Sequence, residues 1–396
     1  MTAPVRLLEL RSTYKWGGGP DKTILLSALR HDPTRVAPVV VYLRGASDPP
    51  LRVAERAPTG GLVYYELAER GKLDLRVLAQ LRAIALEHRI NLIHGHDYKS
   101  DLMAYLVKAS LPGRGIRLVS TAHAWVLLGA KGALYRRLDL WLMRRFDHLL
   151  AVSHATKAEM LAAGLPADRI TVLHNAIDPD VWAAERAPGT TLRDELGVSD
   201  SYPVVGYVGR IMPEKDLVTW LHAAAPVAAA YPRAAFVLVG DGQDDTTRQE
   251  LQALAGRLGF GGRVHFTGYR ADLLRAYASF DIFLMTSRRE GLPNSLLEAM
   301  ALSLPAVTTD VAGAKELVAD GETGFVRPQG DAASLGAALL RLAGDEALRR
   351  EMGGAGRARV VRDFSFARRL ERIEALYLEV VGGGPAGRRH ACASCF

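Results

Sequence analysis

Cysteine is almost missing from this sequence. Its 396 residues include two, Cys392 and Cys395, both close to the end. A single C-x-x-C with no second pair makes a poor zinc site, and no βαβ pattern surrounds it to make it a redox motif. The pair is expected to stay reduced in a disordered tail, 382–396. Long apolar runs are missing too. No uninterrupted stretch reaches the ~18 residues that a membrane-spanning helix needs, and the N-terminus lacks the continuous apolar core of a secretion signal. The expectation is a cytoplasmic protein that can still meet a membrane from the inner face. There is no fixed-period repeat, and the first glycine-rich turn, at 17–19, is neither a Walker A sequence nor a G-x-G-x-x-G fingerprint. No recognised nucleic-acid-binding module accompanies the basic charge, so nucleic acid is not an expected partner.

What is present is a basic chain, with 50 Lys and Arg against 43 Asp and Glu and a net charge of +7. A balance of this sign favours anionic partners, whether a phosphorylated small molecule or a membrane surface. The length allows two or three domains. Short apolar runs alternate with helical patterns from end to end, which implies parallel sheets covered on both faces.

In the first half, a strand from Val5 leads into the glycine-rich turn Trp16-Gly17-Gly18-Gly19-Pro20-Asp21-Lys22 and a helix. Such a turn lets backbone approach a phosphate or sugar closely. A later strand ends in His94-Gly95-His96-Asp97, where a metal reading competes with a plain polar loop; the loop is preferred. Another strand ends just before His123-Ala124-Trp125. Between Gly132 and His148, Leu134, Leu138, Trp141 and Leu142 form an apolar stripe flanked by Lys131, Arg136, Arg137, Arg144 and Arg145. A helix packed on its own domain and a weak contact with anionic lipid both fit that pattern. A polar linker begins near Ala183.

The second half repeats the plan. The strand Val204–Val208 runs into Gly209-Arg210-Ile211-Met212-Pro213-Glu214-Lys215-Asp216, whose cations suit a diphosphate. The strand beginning at Val264 ends in Gly268-Tyr269-Arg270. The most informative stretch is Asp281 to Gly324: a strand, a polar turn, a helix starting near Pro293, and a further strand. It carries Glu290-Gly291-Leu292-Pro293-Asn294-Ser295-Leu296-Leu297-Glu298. Asn294 and Glu298 should share a helix face, beside an N-terminus whose free N–H groups suit an anion.

That stretch, with Gly313, Glu316 and Asp320-Gly321-Glu322-Thr323-Gly324-Phe325 downstream, resembles the retaining glycosyltransferases of the GT4 family. The resemblance covers Val5 to Val381 and is strongest from Val204 to Phe325. It implies the α/β GT-B fold, two Rossmann-like domains with parallel sheets facing across a central cleft. The expected divisions are an acceptor-side domain at 1–182, a donor domain at 183–364 and a helix at 365–381 returning to the first domain.

The resemblance also implies roles. Glu290 contacts the transferred sugar and Glu298 the nucleotide ribose. Arg210 and Lys215 bind the donor diphosphate, with Gly291, Leu292, Asn294 and Ser295 forming the loop and helix start beside it. Tyr269 lies against the base. Gly18 and Gly19 correspond to the family's G-G-x-E loop, with Asp21 in place of Glu. His123 corresponds to the T-x-H-G position near the reaction centre, with Ala124 for Gly. His174-Asn175-Ala176-Ile177-Asp178 is similar to the family's P-N-G-I-D. The implied catalytic group is His123, Glu290, Arg210 and Lys215, acting without a protein-bound metal or other cofactor. The implied partners are a nucleotide-diphosphate sugar and a hydroxyl acceptor: a lipid-linked sugar, a polysaccharide or a small molecule. A nucleotide-sugar epimerase of the same fold and a catalytically silent nucleotide-sugar-binding protein are the alternatives.

Overall fold

The computed structural model describes residues 4–13, 17–51, 61–71, 73–123, 129–184, 191–242 and 245–383, with backbone only at 129–133, 183 and 184. Trp16, Ala124, Trp125, Cys392, Cys395, much of the linker and nearly all of the expected tail lie outside the described residues, as does the Lys131 side chain. No described helix is long and apolar enough to cross a membrane.

The chain forms two compact units. The first takes the residues up to His174 and those from Arg368. Its sheet holds β1 (Val5–Ser12), β2 (Val36–Gly45), β3 (Val63–Glu69), β4 (Leu92–Gly95), β5 (Arg117–Ala122), β6 (His148–Ala151) and β7 (Ile170–Val172). The strands lie in the order β3-β2-β1-β4-β5-β6-β7, with every pairing parallel. Parallel neighbours need crossovers, and here helices supply most of them, so both sheet faces are buried and the strands read as continuous Val and Leu. One face packs Leu8, Leu10, Val41, Ile93 and Leu118 under the covering helices. Val5, Leu7, Leu92, Val119 and Leu150 of the other face pack against Ile373, Tyr377 and Val380 of the helix Phe366–Val381.

The second unit, Asn175–Ala367, has its own sheet of β8 (Val204–Val208), β9 (Ala235–Val239), β10 (Val264–Gly268), β11 (Ile282–Met285), β12 (Ala306–Thr309) and β13 (Gly324–Arg327). The order is β10-β9-β8-β11-β12-β13, again all parallel. In both sheets the strand order reverses once, between β1 and β4 and between β8 and β11. At such a reversal the neighbouring loops run to opposite sides and leave a crevice beyond the carboxyl ends of the strands.

The units divide after His174, eight residues before the expected 182/183 boundary. The segment between is bound into the second unit. Asn175 Nδ2 donates to Leu292 O at 2.9 Å, and Ile177 makes a parallel bridge with Ser365. Expected in the first domain, this segment belongs to the second because its long-range hydrogen-bond partners lie there.

The helix expected at 132–148 spans Gly129–Met143. Its stripe divides: Leu142 is buried and Leu138 packs against the core, while Leu134 and Trp141 are exposed. Arg145 stacks on the Trp141 ring, 3.5 Å from its centroid, and Arg144 donates to Ala163 O.

Asp139 of that helix and Asp101 are both buried. Burial, and then the Asp139 carboxylate, raise the Asp101 carboxyl well above its ordinary 3.8. Folding therefore keeps a proton that the unfolded chain would release. The Asp101 contribution is whole below pH 3.8 and is lost as pH rises toward the folded-state value. Asp101→Asn keeps the shape and an acceptor for Ser120 Oγ, 2.6 Å away. Thermal melts should show this variant gaining about 2–4 °C at pH 7, the equivalent of ~1 kcal/mol, and no gain near pH 3.5. Equal gains at both pH values would count against a proton held at Asp101.

Candidate active site

The second unit concentrates the flagged residues at its reversal. The loop after β8 carries Arg210 and Lys215; the loop after β11 carries Glu290, Gly291 and Leu292. Because β8 and β11 are neighbours, the two loops meet. Lys215 Nζ lies 2.7 Å from Glu290 Oε1, and Ser287 Oγ donates to the same oxygen at 2.7 Å. Arg288 N donates to Glu214 O, and Thr286 Oγ1 donates to the carbonyls of Lys215 and Asp216, which locks one loop against the other.

Asp216 is the pivot of this lock. It adopts φ 47°, a left-handed conformation that Asp tolerates better than most residues at a cost of roughly 1–2 kcal/mol. From there it caps the helix Leu217–Ala230, accepting from Thr219 N and Oγ1, and also accepts from Arg288 Nε at 2.9 Å. A non-glycine residue in this region, next to Lys215, is the sort of strain that collects at working sites.

Arg210 is held by its backbone and left open at its tip. Tyr207 Oη donates to Arg210 O at 2.8 Å. Gly240 runs so close that a Cβ there would sit 1.8 Å from Gly209 O. The Arg210 guanidinium is 70% exposed, and among the described residues its ion pair is with Glu214, at 3.7 Å. An exposed pair at that separation costs little to exchange for a phosphate.

The helix Asn294–Ala301 begins after Pro293, and no side chain caps it. Its first N–H groups are open to an anion. Asn294 Oδ1 is buried with no hydrogen-bond partner among the described residues. Under the loop, a Cβ on Gly313 would come 2.2 Å from Gly291 O and 2.7 Å from Leu292 Cα, so only glycine lets the loop lie this low. Glu298 is 6% exposed and accepts from Tyr277 Oη at 2.9 Å; the same hydroxyl lies 3.0 Å from Ser295 O. Tyr269 follows the edge strand β10, whose end is joined to Gly240 by a Gly240 N to Gly268 O hydrogen bond.

The first unit places Gly18, Gly19 and His123 at the carboxyl edge of its own sheet. Asp21, in the position where the resemblance implies Glu, is fully buried and turned inward. It accepts from Arg11 Nε, Thr13 Oγ1 and Gly18 N, so the carboxylate pins the glycine turn. His123 is half-buried, its Nε2 3.4 Å from His96 Nδ1. Glu9, His94 and His96 gather closely enough to hold a cation. Each of their ring nitrogens, though, is already engaged with a protein partner: Tyr377 and Thr121 at His94, Glu9 and His123 at His96. That set fits a hydrogen-bonded network better than a metal.

Two family models match the chain: "Glycosyltransferase Family 4" over residues 26–181 and "Glycosyl transferases group 1" over residues 202–345. The chain belongs to the family 4, group 1 glycosyltransferases. Among similar curated proteins is the N-acetyl-alpha-D-glucosaminyl L-malate synthase of Bacillus anthracis, 27% identical over 82% of this chain and 84% of that one. Another is the UDP-Gal:alpha-D-GlcNAc-diphosphoundecaprenol alpha-1,3-galactosyltransferase of Escherichia coli, 25% identical over 78% of this chain and 80% of that one. Anabaena HepE, solved with UDP and glucose, superposes with a TM-score of 0.81 at 22% identity, covering 94% of this chain and 99% of HepE. That likeness establishes the GT-B fold of the glycosyltransferase.

Some of what organises this glycosyltransferase was missed in the sequence. Tyr277 under Glu298 and Arg288 on Asp216 carry no local signal, because each contact crosses between elements. Ser287 was findable: it stands three residues before Glu290, a spacing at which a hydroxyl can reach the carboxylate.

Proposed function

We propose that this glycosyltransferase moves a sugar from a nucleotide-diphosphate donor to an acceptor hydroxyl with retention of configuration, in the synthesis of a cell-surface polysaccharide or glycolipid. The observation that carries the reading is the meeting of Lys215 and Glu290 beside an uncapped helix start. Relatives named for UDP-galactose and a diphosphoundecaprenol acceptor, and for capsular polysaccharide, support the donor and acceptor classes.

Breaking the bond between the anomeric carbon and the phosphate oxygen builds charge on the diphosphate while the sugar becomes oxocarbenium-like. Preorganised cations and N–H groups stabilise that charge. Arg210, Lys215 and the helix start at Asn294 and Ser295 take this part. Glu290 and His123 orient the sugar, Glu298 takes the ribose, Tyr269 lies near the base, and Gly18 and Gly19 offer backbone to the donor. The departing phosphate accepts the proton of the acceptor hydroxyl, so no sugar–enzyme bond forms and no metal or cofactor is required. Glu290 and Glu298 are therefore not the acid and nucleophile of a glycosidase.

The test is stereochemical. With an α-linked donor chosen by thermal shift among UDP, GDP and ADP sugars, the one-bond carbon–proton NMR coupling at the product's anomeric centre should report an α linkage. A β product would end the retaining mechanism.

Contact with an anionic membrane surface through Leu134, Trp141 and the neighbouring Arg136 and Arg137 belongs to the same proposal, as does a place at the inner face of the cell membrane. Sedimentation with anionic liposomes should fall when Arg136 and Arg137 are neutralised. Unchanged sedimentation would remove the membrane from the account.

A further inference from the structure

Glu9 on β1, His96 after β4 and His123 after β5 stand in one line at the reversal of the first sheet. The direction of every hydrogen bond along that line follows from the donors available. Glu9 Oε1 accepts from Tyr377 Oη at 3.1 Å. Having given its single proton there, Tyr377 Oη accepts from His94 Nδ1, 2.6 Å away, and His94 Nε2 then accepts from Thr121 Oγ1 at 2.7 Å. Glu9 Oε2 faces His96 Nε2 at 2.6 Å. A carboxylate has no proton to give, so His96 Nε2 carries the hydrogen.

A neutral imidazole has one N–H, which leaves His96 Nδ1 a bare acceptor. The group it meets is His123 Nε2 at 3.4 Å, with ring centroids 5.7 Å apart and ring planes 24° from parallel, so the rings face each other edge to edge. His123 Nε2 is thereby the donor, and its Nδ1 is left as an acceptor for something else.

Burial supports these protonation states. It holds the His96 imidazole down to about 3, helped by His94. Burial, and next the Arg11 guanidinium, push His123 well below the ordinary imidazole value. For Glu9, burial alone would raise the carboxyl, but His94 and His96 together outweigh it and bring it well below the usual range.

We propose that Glu9 and His96 are positioning residues that hold His123 in its Nε2–H tautomer, so that His123 Nδ1 is presented as a hydrogen-bond acceptor to a substrate hydroxyl. The final clause rests on the assignment of His123 to the sugar; the relay behind it does not. A second-line partner that fixes an imidazole's tautomer is a familiar device where the ring's other nitrogen does the work. Because Tyr377 closes the line, the helix Phe366–Val381 becomes part of the support for His123.

The test reads ring-nitrogen shifts in the full chain, labelled with 15N-histidine and free of ligand, with His123→Gln and His96→Asn used to assign signals. His123 should show its proton on Nε2 and an unprotonated Nδ1. His96→Leu removes the acceptor and should leave His123 as a mixture of tautomers, with turnover of the best UDP, GDP or ADP sugar about 10-fold or more lower. His96→Asn sets its Oδ1 where Nδ1 stood; it should keep the tautomer and recover most of the turnover. Should His96→Leu not fold, the spectrum of the unmodified protein decides alone. His123 protonated on Nδ1, or charged at pH 7, overturns the relay. Full activity in His123→Ala, beside the expected spectrum, overturns the substrate role and leaves the relay standing.

Discussion

Arg210→Ala should lower turnover about 100-fold, the loss of ~3 kcal/mol that follows removal of one preorganised charge from a developing oxyanion, with the melting temperature unchanged. Both halves of that result come from the same geometry. The Arg210 backbone is held by Tyr207 and by the close pass of Gly240, neither of which uses the guanidinium. The tip is 70% exposed, and its ion pair with Glu214 is long. Truncating a side chain so placed costs the fold little.

Lys215→Ala offers the contrast. Its amine is 16% exposed and sits on Glu290, so its removal takes the counter-charge from a half-buried carboxylate, leaving it the Ser287 hydroxyl, and should lower both turnover and melting temperature. Steady-state rates and thermal melts on the two variants separate the cases. Near-normal turnover in Arg210→Ala would remove the arginine from the diphosphate.

The two glutamates should fail in different ways. Glu290→Ala should lower kcat by about 100-fold or more, since the carboxylate aimed by Lys215 and Ser287 is expected to act where charge develops. Glu298→Ala should instead raise the donor KM with kcat nearly kept, the mark of an interaction equal in ground and transition states. The structure lets the second variant fold: Tyr277 Oη loses Glu298 but keeps Ser295 O, so no buried hydroxyl is orphaned. Initial-rate kinetics over a range of donor concentration checks both. A fall in kcat for Glu298→Ala with KM unmoved, and the reverse for Glu290→Ala, would exchange their roles.

The resemblance of the sequence to its family was carried by local patterns. Strand, turn and helix could be read from Asp281 to Ser303 because apolar periodicity and a proline are written into consecutive residues. The loops after β8 and β11 could be recognised for the same reason: each is one uninterrupted stretch. Pairings between distant residues left no such trace. Nothing near Lys215 says that its amine will rest on a carboxylate 75 positions later. Nothing near Asp21 says that the residue will turn inward to Arg11 instead of outward. The division of the chain falls eight residues before the expected one because the stretch from Asn175 takes its hydrogen-bond partners from distant parts of the second unit, which no local pattern records.

By itself the sequence determined the alternation of strands and helices, and with it parallel sheets, since parallel neighbours require crossovers and buried strands require unbroken apolar runs. It also carried the loop patterns on which the family resemblance rests. Only the tertiary structure decided which loops meet. Strand order is a property of the closed sheet: placing β8 beside β11 joins Lys215 to Glu290, and placing β1 beside β4 lines Glu9 up behind His96 and His123. Contacts of that kind are stabilised by burial across the whole sheet, and burial is not a property any short stretch of residues can record.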